Sequence, residues 1–159
     1  MGVSGSGKTT VGVLLAKKIG ATFIEGDDLH SEANVAKMAA GKALDDADRR
    51  PWLEKIAAEL VRGRERSLVV ACSALKKSYR EIIREADPTV RFVFLEGPRE
   101  LLGARLAARS SGHFMPASLL QSQLETLEPL GPDEAGFALN IAREPEELAR
   151  QAASLLTAK

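Results

Sequence analysis

The chain has 159 residues, 22 basic against 22 acidic side chains, and one cysteine. That length suits a single domain, residues 1–159, able to bury about two-thirds of the surface its unfolded form exposes. The charge balance argues against a broad surface for nucleic acid or anionic lipid, Cys72 has no partner for an internal disulfide, and no apolar run approaches the ~20 residues of a membrane span. With no leader or lipidation motif, the sequence reads as cytoplasmic, with no nucleic-acid or membrane partner, and any polyanion it binds is small and locally held.

Residues 2–9 read Gly-Val-Ser-Gly-Ser-Gly-Lys-Thr and match the P-loop pattern G-x-x-x-x-G-K-[ST] in full. Gly2, Gly5 and Gly7 allow backbone conformations closed to residues with a Cβ, so that successive N–H groups converge on a phosphate beside a helix N-terminus. Lys8 reaches the β- and γ-phosphates, the Thr9 hydroxyl ligates Mg²⁺, and Ser4, Ser6 and Thr10 complete the nucleotide-facing run. Only Met1 precedes Gly2, whereas such a loop ordinarily follows a buried strand. A truncated first strand is therefore expected, with a few apolar residues lost upstream through a start placed too late.

The apolar pattern then predicts a helix over 10–19 ended by Gly20, a strand over 22–25, a helix over 31–40 closed by Gly41, and a helix from about Asp48. Pro51 belongs in the first turn of that last helix, which buries Leu53, Ile56, Ala57, Leu60 and Val61. Residues 67–72 form an apolar strand covered on both faces, 76–86 a helix, 90–95 a strand, and Pro98 opens another helix striped by Leu101, Leu102 and Leu106. A break at 110–116 precedes a helix over 117–127, a strand over 137–141 and a helix over 145–156. Leu148, Ala152, Leu155 and Leu156 align along that final helix. Alternating strands and helices give an α/β chain, a three-layer α/β/α P-loop NTPase fold with a parallel sheet. The segment at about 109–127 reads as a helical lid.

Ligands of such sheets lie outside the carboxyl ends of the strands, which directs attention to the segments leaving them. Asp27 is assigned to the acceptor hydroxyl and Glu25 to the water shell of Mg²⁺, the two sharing a side of extended chain, with Asp28 a turn or cap residue. His30, Asn34 and Lys37 or Met38 follow at helical spacing and suit a polyhydroxyl acceptor if the helix begins at His30. Arg105 and Arg109 project toward the lid, able to stack on adenine and clamp the transferring phosphoryl group. Arg49 offers a planar fork for an acceptor carboxylate. Lys76, Lys77 and Arg80 stand at a helix start, where the dipole disfavours cations, which suggests an anionic ligand for them.

Together these segments resemble the gluconokinase family, small P-loop sugar-acid kinases related in fold to shikimate kinase and adenylate kinase. The resemblance runs through residues 1–9, Gly26-Asp27-Asp28-Leu29-His30, Asn34, Lys37-Met38 and Gly41, then Leu44-Asp45-Asp46 and Asp48-Arg49-Arg50-Pro51-Trp52-Leu53. It continues with Cys72-Ser73-Ala74-Leu75-Lys76-Lys77, Tyr79-Arg80, Arg105 to Arg109, His113-Phe114-Met115 and Gln123 to Pro129, and weakens after about Pro132. Where this chain has Ser73-Ala74-Leu75, shikimate kinases carry a glycine run. Asn140 stands where family members often have an acid.

What the resemblance implies is transfer of the ATP γ-phosphoryl to the 6-hydroxyl of D-gluconate, with Mg²⁺, in an enzyme that forms a homodimer. Lys8, Asp27 and Arg109 are then catalytic, Arg105 joins the nucleotide site, and His30, Asn34, Arg49, Ser73, Lys76, Arg80, His113 and Gln123 face the acceptor. Arg49, Lys76 and Arg80 are alternatives for its carboxylate. Another small-molecule kinase, for shikimate or a nucleotide, and a non-catalytic ATP-binding module are the rival readings.

Overall fold

The computed structural model of the chain describes residues 1–108 and 119–158. Helix α1 (Lys8–Ile19) leaves the glycine loop directly and ends at Gly20 in the left-handed conformation that glycine tolerates. Strand β1 (Thr22–Glu25) follows, then a 3-10 turn (Gly26–Leu29) and α2 (Glu32–Ala39), whose N-cap Ser31 accepts from the Asn34 N–H. After α3 (Asp46–Gly63) come β2 (Leu68–Ala71), α4 (Lys77–Ala86), β3 (Phe92–Glu96) and α5 (Arg99–Ala108). Helix α6 (Leu119–Thr126), β4 (Gly136–Asn140) and α7 (Pro145–Thr157) complete the order.

Helix α3 begins two residues before the expected Asp48. Asp45 caps it and accepts from the Asp48 N–H, while the Asp48 carboxylate accepts from the Asp45 N–H. That reciprocal pair satisfies two donors at the helix start and moves Pro51 into the second turn, where its ring removes one helical hydrogen bond. Leu53, Ile56 and Ala57 are buried as expected, but Val61 is 42% exposed because the helix runs past the edge of the core. Leu155 is likewise exposed rather than aligned with Leu148 and Ala152 inside.

The strands form two parallel pairs, β1 with β2 and β3 with β4, instead of one continuous sheet. Among the described residues, the hydrogen bonds between the end of β2 and β3 run through the first two residues of the chain. The Met1 N–H donates to the Val93 carbonyl, the Leu95 N–H to the Met1 carbonyl at 2.9 Å, and the Gly2 N–H to the Ser73 carbonyl at 3.2 Å. Below them lies a cavity of about 380 Å³, walled by Val69 to Cys72 on one side and Phe92, Val93 and Leu95 on the other. The two strand pairs thus stand on either side of this cavity.

Two apolar clusters cover the strands. Val11 and Leu15 of α1 pack with Leu148, Ala149 and Ala152 of α7, with Leu102 and Leu106 of α5, and with Leu95 and Leu139. Trp52, Leu53 and Ile56 of α3 pack with Tyr79 and Ile83 of α4 and with Phe92. Helices on both faces of parallel strands bring the carboxyl ends of the strands and the glycine loop to one end of the molecule. Among the described residues no helix is long and apolar enough to cross a membrane.

Candidate active site

The glycine loop sets the geometry. Gly2, Gly5 and Gly7 all have positive φ, at 140°, 83° and 89°, and a Cβ on Gly5 would lie 2.9 Å from the Leu102 carbonyl oxygen. These positions therefore admit only glycine without strain, and the loop passes close over α5 before entering α1. Ser4 and Ser6 are buried within it, while Thr10 is exposed on the first turn of α1. No side chain caps the α1 N-terminus at Gly7. The Lys8 ammonium donates to the Val3 carbonyl at 3.0 Å, which holds it across the loop. A cradle of main-chain N–H groups with a lysine over it fits a polyphosphate.

Side chains from distant elements converge on this loop. The Thr9 hydroxyl donates to Glu25 at 2.5 Å, and the other Glu25 oxygen accepts from the Asp27 N–H at 3.5 Å. The first turn of α1 is thereby tied to the acidic end of β1. Strand alternation does not carry through to Asp27, because the 3-10 turn starts at Gly26; the N–H contact to Glu25 brings Asp27 near instead. Arg105 reaches over from α5, its Nη1 lying 3.9 Å from where a Gly7 Cβ would stand and its Nη2 donating to the Ile141 carbonyl at 2.7 Å. Gln123 of α6 accepts from the Ser4 N–H at 2.7 Å, and Ser73 accepts from Gly2 through its carbonyl. Gln123, expected at the acceptor, contacts the phosphate loop itself.

A second cluster stands beside the first. Asn34 is buried and donates to the Asp48 carbonyl at 2.8 Å, and its amide nitrogen lies 3.4 Å from His30 Nδ1. His30 precedes α2 rather than opening it, yet still meets Asn34, whose N–H donates to the capping Ser31 hydroxyl in between. The His30 ring stacks on Trp52 with centroids 4.2 Å apart and planes at 14°. Burial, then the Arg49 and Lys55 charges, push the His30 pKa down to about 4, so the ring is neutral near pH 7. The Trp52 indole N–H donates to the Gly26 carbonyl at 2.7 Å. Gly26 has no room for a side chain, since a Cβ would sit 2.2 Å from the Ala71 carbonyl oxygen. Trp52 and β2 thus grip the peptide immediately before Asp27, which links the two clusters.

The cations sort differently from expectation. Arg49 is buried, donates from Nε to the Leu44 carbonyl at 3.2 Å, and places its guanidinium 5.5 Å from the Tyr79 ring centre. Lys76 donates to both Asp46 oxygens, at 2.8 and 3.1 Å, and that hydrogen bond raises its pKa. Tyr79 also donates to Asp46. These groups border an open depression lined by Leu44, Asp46, Lys76, Tyr79 and Thr126.

Arg80 is fully buried and answers the protein rather than an anionic ligand, which corrects its place among the acceptor cations. It pairs with Glu134 and donates to the carbonyls of Ala74, Leu75, Glu128 and Pro129. Ala74 holds φ 43°, a left-handed conformation costly for a residue with a Cβ, and the Arg80 bond to its carbonyl helps fix it. Lys77 is likewise engaged, with Asp133, while its N–H donates to Glu128. The cations at the start of α4 therefore each meet a carboxylate of the chain. Arg109 and His113 lie outside the described residues.

Sequence reasoning gave no role to Trp52 or Tyr79. A buried indole or phenol needs a hydrogen-bond partner, and that rule was the available signal for Trp52 and Tyr79. The Asp45-to-Asp48 spacing likewise carried the capping signal for α3.

Comparison with known proteins decides the family. Residues 1–130 match the AAA domain family. The chain is 48% identical over 137 residues to the thermosensitive gluconokinase of Escherichia coli strain K12, covering 84% of this chain and 72% of that protein. The chain belongs to the gluconokinase family. Two solved structures are also similar: a gluconokinase from Sinorhizobium meliloti 1021, with TM-score 0.88, and an unliganded sugar kinase from Janibacter sp. HTCC2649, with TM-score 0.93. Both are 47% identical and match 98% of this chain, which covers 88% and 91% of theirs. Gluconokinase family membership makes this a P-loop kinase, with the glycine loop its nucleotide-binding element. Asn140 ends β4, and its side-chain oxygen accepts from the Ala142 N–H at 2.9 Å, shaping the turn whose Ile141 carbonyl meets Arg105.

Proposed function

We propose that the chain transfers the γ-phosphoryl group of ATP to the 6-hydroxyl of D-gluconate, giving 6-phosphogluconate and ADP. The observation that carries the proposal is the Thr9–Glu25–Asp27 connection, which places an acidic turn against the lysine-bearing end of the phosphate loop. Phosphoryl transfer needs that adjacency, because the acceptor oxygen must approach the γ-phosphorus in line with the departing oxygen of ADP. Family membership supports gluconate as the acceptor.

In this reading the 6-hydroxyl oxygen forms a bond to the γ-phosphorus as the bond to the β-phosphate bridging oxygen breaks, and Asp27 takes the hydroxyl proton. Lys8 offsets charge on the transferring group, and Arg105 borders the nucleotide. The Thr9 hydroxyl and Glu25 carboxylate suit Mg²⁺, a hard ion that keeps several waters and takes one or two protein oxygens beside phosphate. Bound there, Mg²⁺ neutralises phosphate charge. Arg49 and Lys76 remain for the far carboxylate, with His30, Asn34 and Ser73 for the hydroxyls. A cytosolic homodimer completes the proposal.

ADP release with MgATP and D-gluconate, set against shikimate, glucose and no acceptor, tests it. Gluconate-dependent release is expected. Equal rates with shikimate or glucose, or ATP binding with no transfer to any acceptor, would overturn it.

A further inference from the structure

The amide of Asn34 has one orientation its surroundings permit. The end facing the Asp48 carbonyl at 2.8 Å must be the NH₂, since the alternative sets two acceptor oxygens against each other. The same nitrogen faces His30 Nδ1 at 3.4 Å. An amide NH₂ only donates, so Nδ1 must offer its lone pair, and in a neutral ring the single proton then sits on Nε2. His30 Nε2 has no hydrogen-bond partner among the described residues and is not sealed in the interior.

The ring's orientation is fixed independently. Trp52 is only 2% exposed; its face stacks on the imidazole while its N–H holds the Gly26 carbonyl, and the His30 N–H donates to the Asp27 carbonyl. One indole therefore sets both the peptide before Asp27 and the plane of His30. The unpaired edge of the imidazole borders the turn that carries Asp27.

We propose that Asn34 and Trp52 are positioning residues that hold His30 as its Nε2–H tautomer, so that the ring donates one hydrogen bond to an oxygen of the phosphoryl acceptor. This rests on the gluconate reading for the identity of the acceptor. It makes His30 a specificity-determining group: it favours an acceptor with a hydroxyl or carboxylate oxygen at that point and discriminates against a deoxy analogue.

The chain has two histidines, so long-range ¹H–¹⁵N spectra of the imidazoles are readily assigned by the loss of one signal in His30→Gln. The free wild-type protein is expected to show the Nε2–H pattern, and Asn34→Leu a mixture of tautomers. Gluconate added with ADP should shift the His30 Nε2 signal. In steady-state assays His30→Leu and Asn34→Leu should raise the gluconate KM about five- to tenfold, the worth of one neutral hydrogen bond, with the MgATP KM unchanged. His30→Gln, which retains a donor, should recover part of the loss, and Trp52→Phe, which keeps the stack but loses the N–H, should lower kcat through Asp27 more than it raises the gluconate KM.

An Nδ1–H or mixed pattern in the wild type overturns the tautomer assignment. Absence of a gluconate response at Nε2, or an unchanged gluconate KM in His30→Leu, overturns the donor role. The spectrum of the free protein needs no turnover, so a failure of the tautomer is distinguishable from a failure of gluconate as acceptor, which the ADP assay reads separately.

Discussion

The phosphate side of the site is made of consecutive residues and main-chain atoms, whereas the acceptor side draws single side chains from well-separated stretches of the chain. Gly2 to Thr9 build the cradle through backbone conformation, with Lys8 folded over their own carbonyls. His30, Asn34, Arg49, Trp52 and Lys76 meet only because α2, α3 and α4 pack together and buried donors find distant carbonyls. A site of the first kind is sensitive to its own few residues and little else. A site of the second kind loses geometry when remote supports fail, so substitutions should separate the two halves.

The largest effect belongs to the phosphate side. Lys8→Ala should reduce kcat on the order of a thousandfold, the scale of removing a group aimed at developing charge, without weakening the fold. Lys8 donates to the Val3 carbonyl of the loop and belongs to neither apolar cluster, so its removal leaves both clusters whole. Activity and urea midpoint measured together give the answer: normal turnover would remove Lys8 from the chemistry, and a collapsed midpoint would make it structural.

Arg80→Ala should do the reverse. It leaves Glu134 buried without its partner and strips donors from four carbonyls, a loss of about 3–5 kcal/mol in unfolding free energy. The double change Arg80→Met with Glu134→Leu should restore much of that stability, because it removes both charges together. It should not restore the gluconate KM, since the Ala74 and Leu75 carbonyls still lack their clamp. Recovery of both would mean the buried pair only stabilises.

The same contrast explains what the sequence revealed. The glycine loop, β1 and the stop at Gly20 were legible because each is encoded within a few neighbouring residues. Arg80 was misread because the helix dipole is a local argument, and the carboxylate it meets, Glu134, lies 54 positions away. Trp52 was passed over because its acceptor is a main-chain carbonyl 26 positions back, which no side-chain pattern announces. The start of α3 was set two residues late for a smaller reason: several acids in a row could cap it, and only the reciprocal bond with Asp48 singles out Asp45.

The gap between β2 and β3 offers an intermediate test of the phosphate side, whose entry is hydrogen-bonded to the strands through Met1 and Gly2. Five extended apolar residues fused before Met1 should pair with both inner strand edges and fill the cavity. A gain of about 2 kcal/mol would raise Tm by about 4–8 °C and tighten ATP binding. A version carrying a central proline should gain nothing, because a proline cannot complete a ladder between two strands. Equal Tm values for the two would show that the cavity does not accept a strand.

The smallest effect tests the acceptor side through pH. In the unfolded chain His30 takes up a proton near the ordinary imidazole value of 6.5, while burial and the charges of Arg49 and Lys55 hold the folded ring neutral down to about 4. Between those values the unfolded state binds more protons, so the contribution is complete above the unfolded pKa and is lost as pH falls. His30→Gln removes that uptake and should flatten the wild-type decline over the same interval, by on the order of 1 kcal/mol once partial exposure is allowed for. Every other titrating group is common to both chains and cancels in the difference. Parallel stability curves from pH 7 to pH 4 would mean that the folded imidazole protonates as freely as the unfolded one, and that the Trp52 stack does not keep it dry.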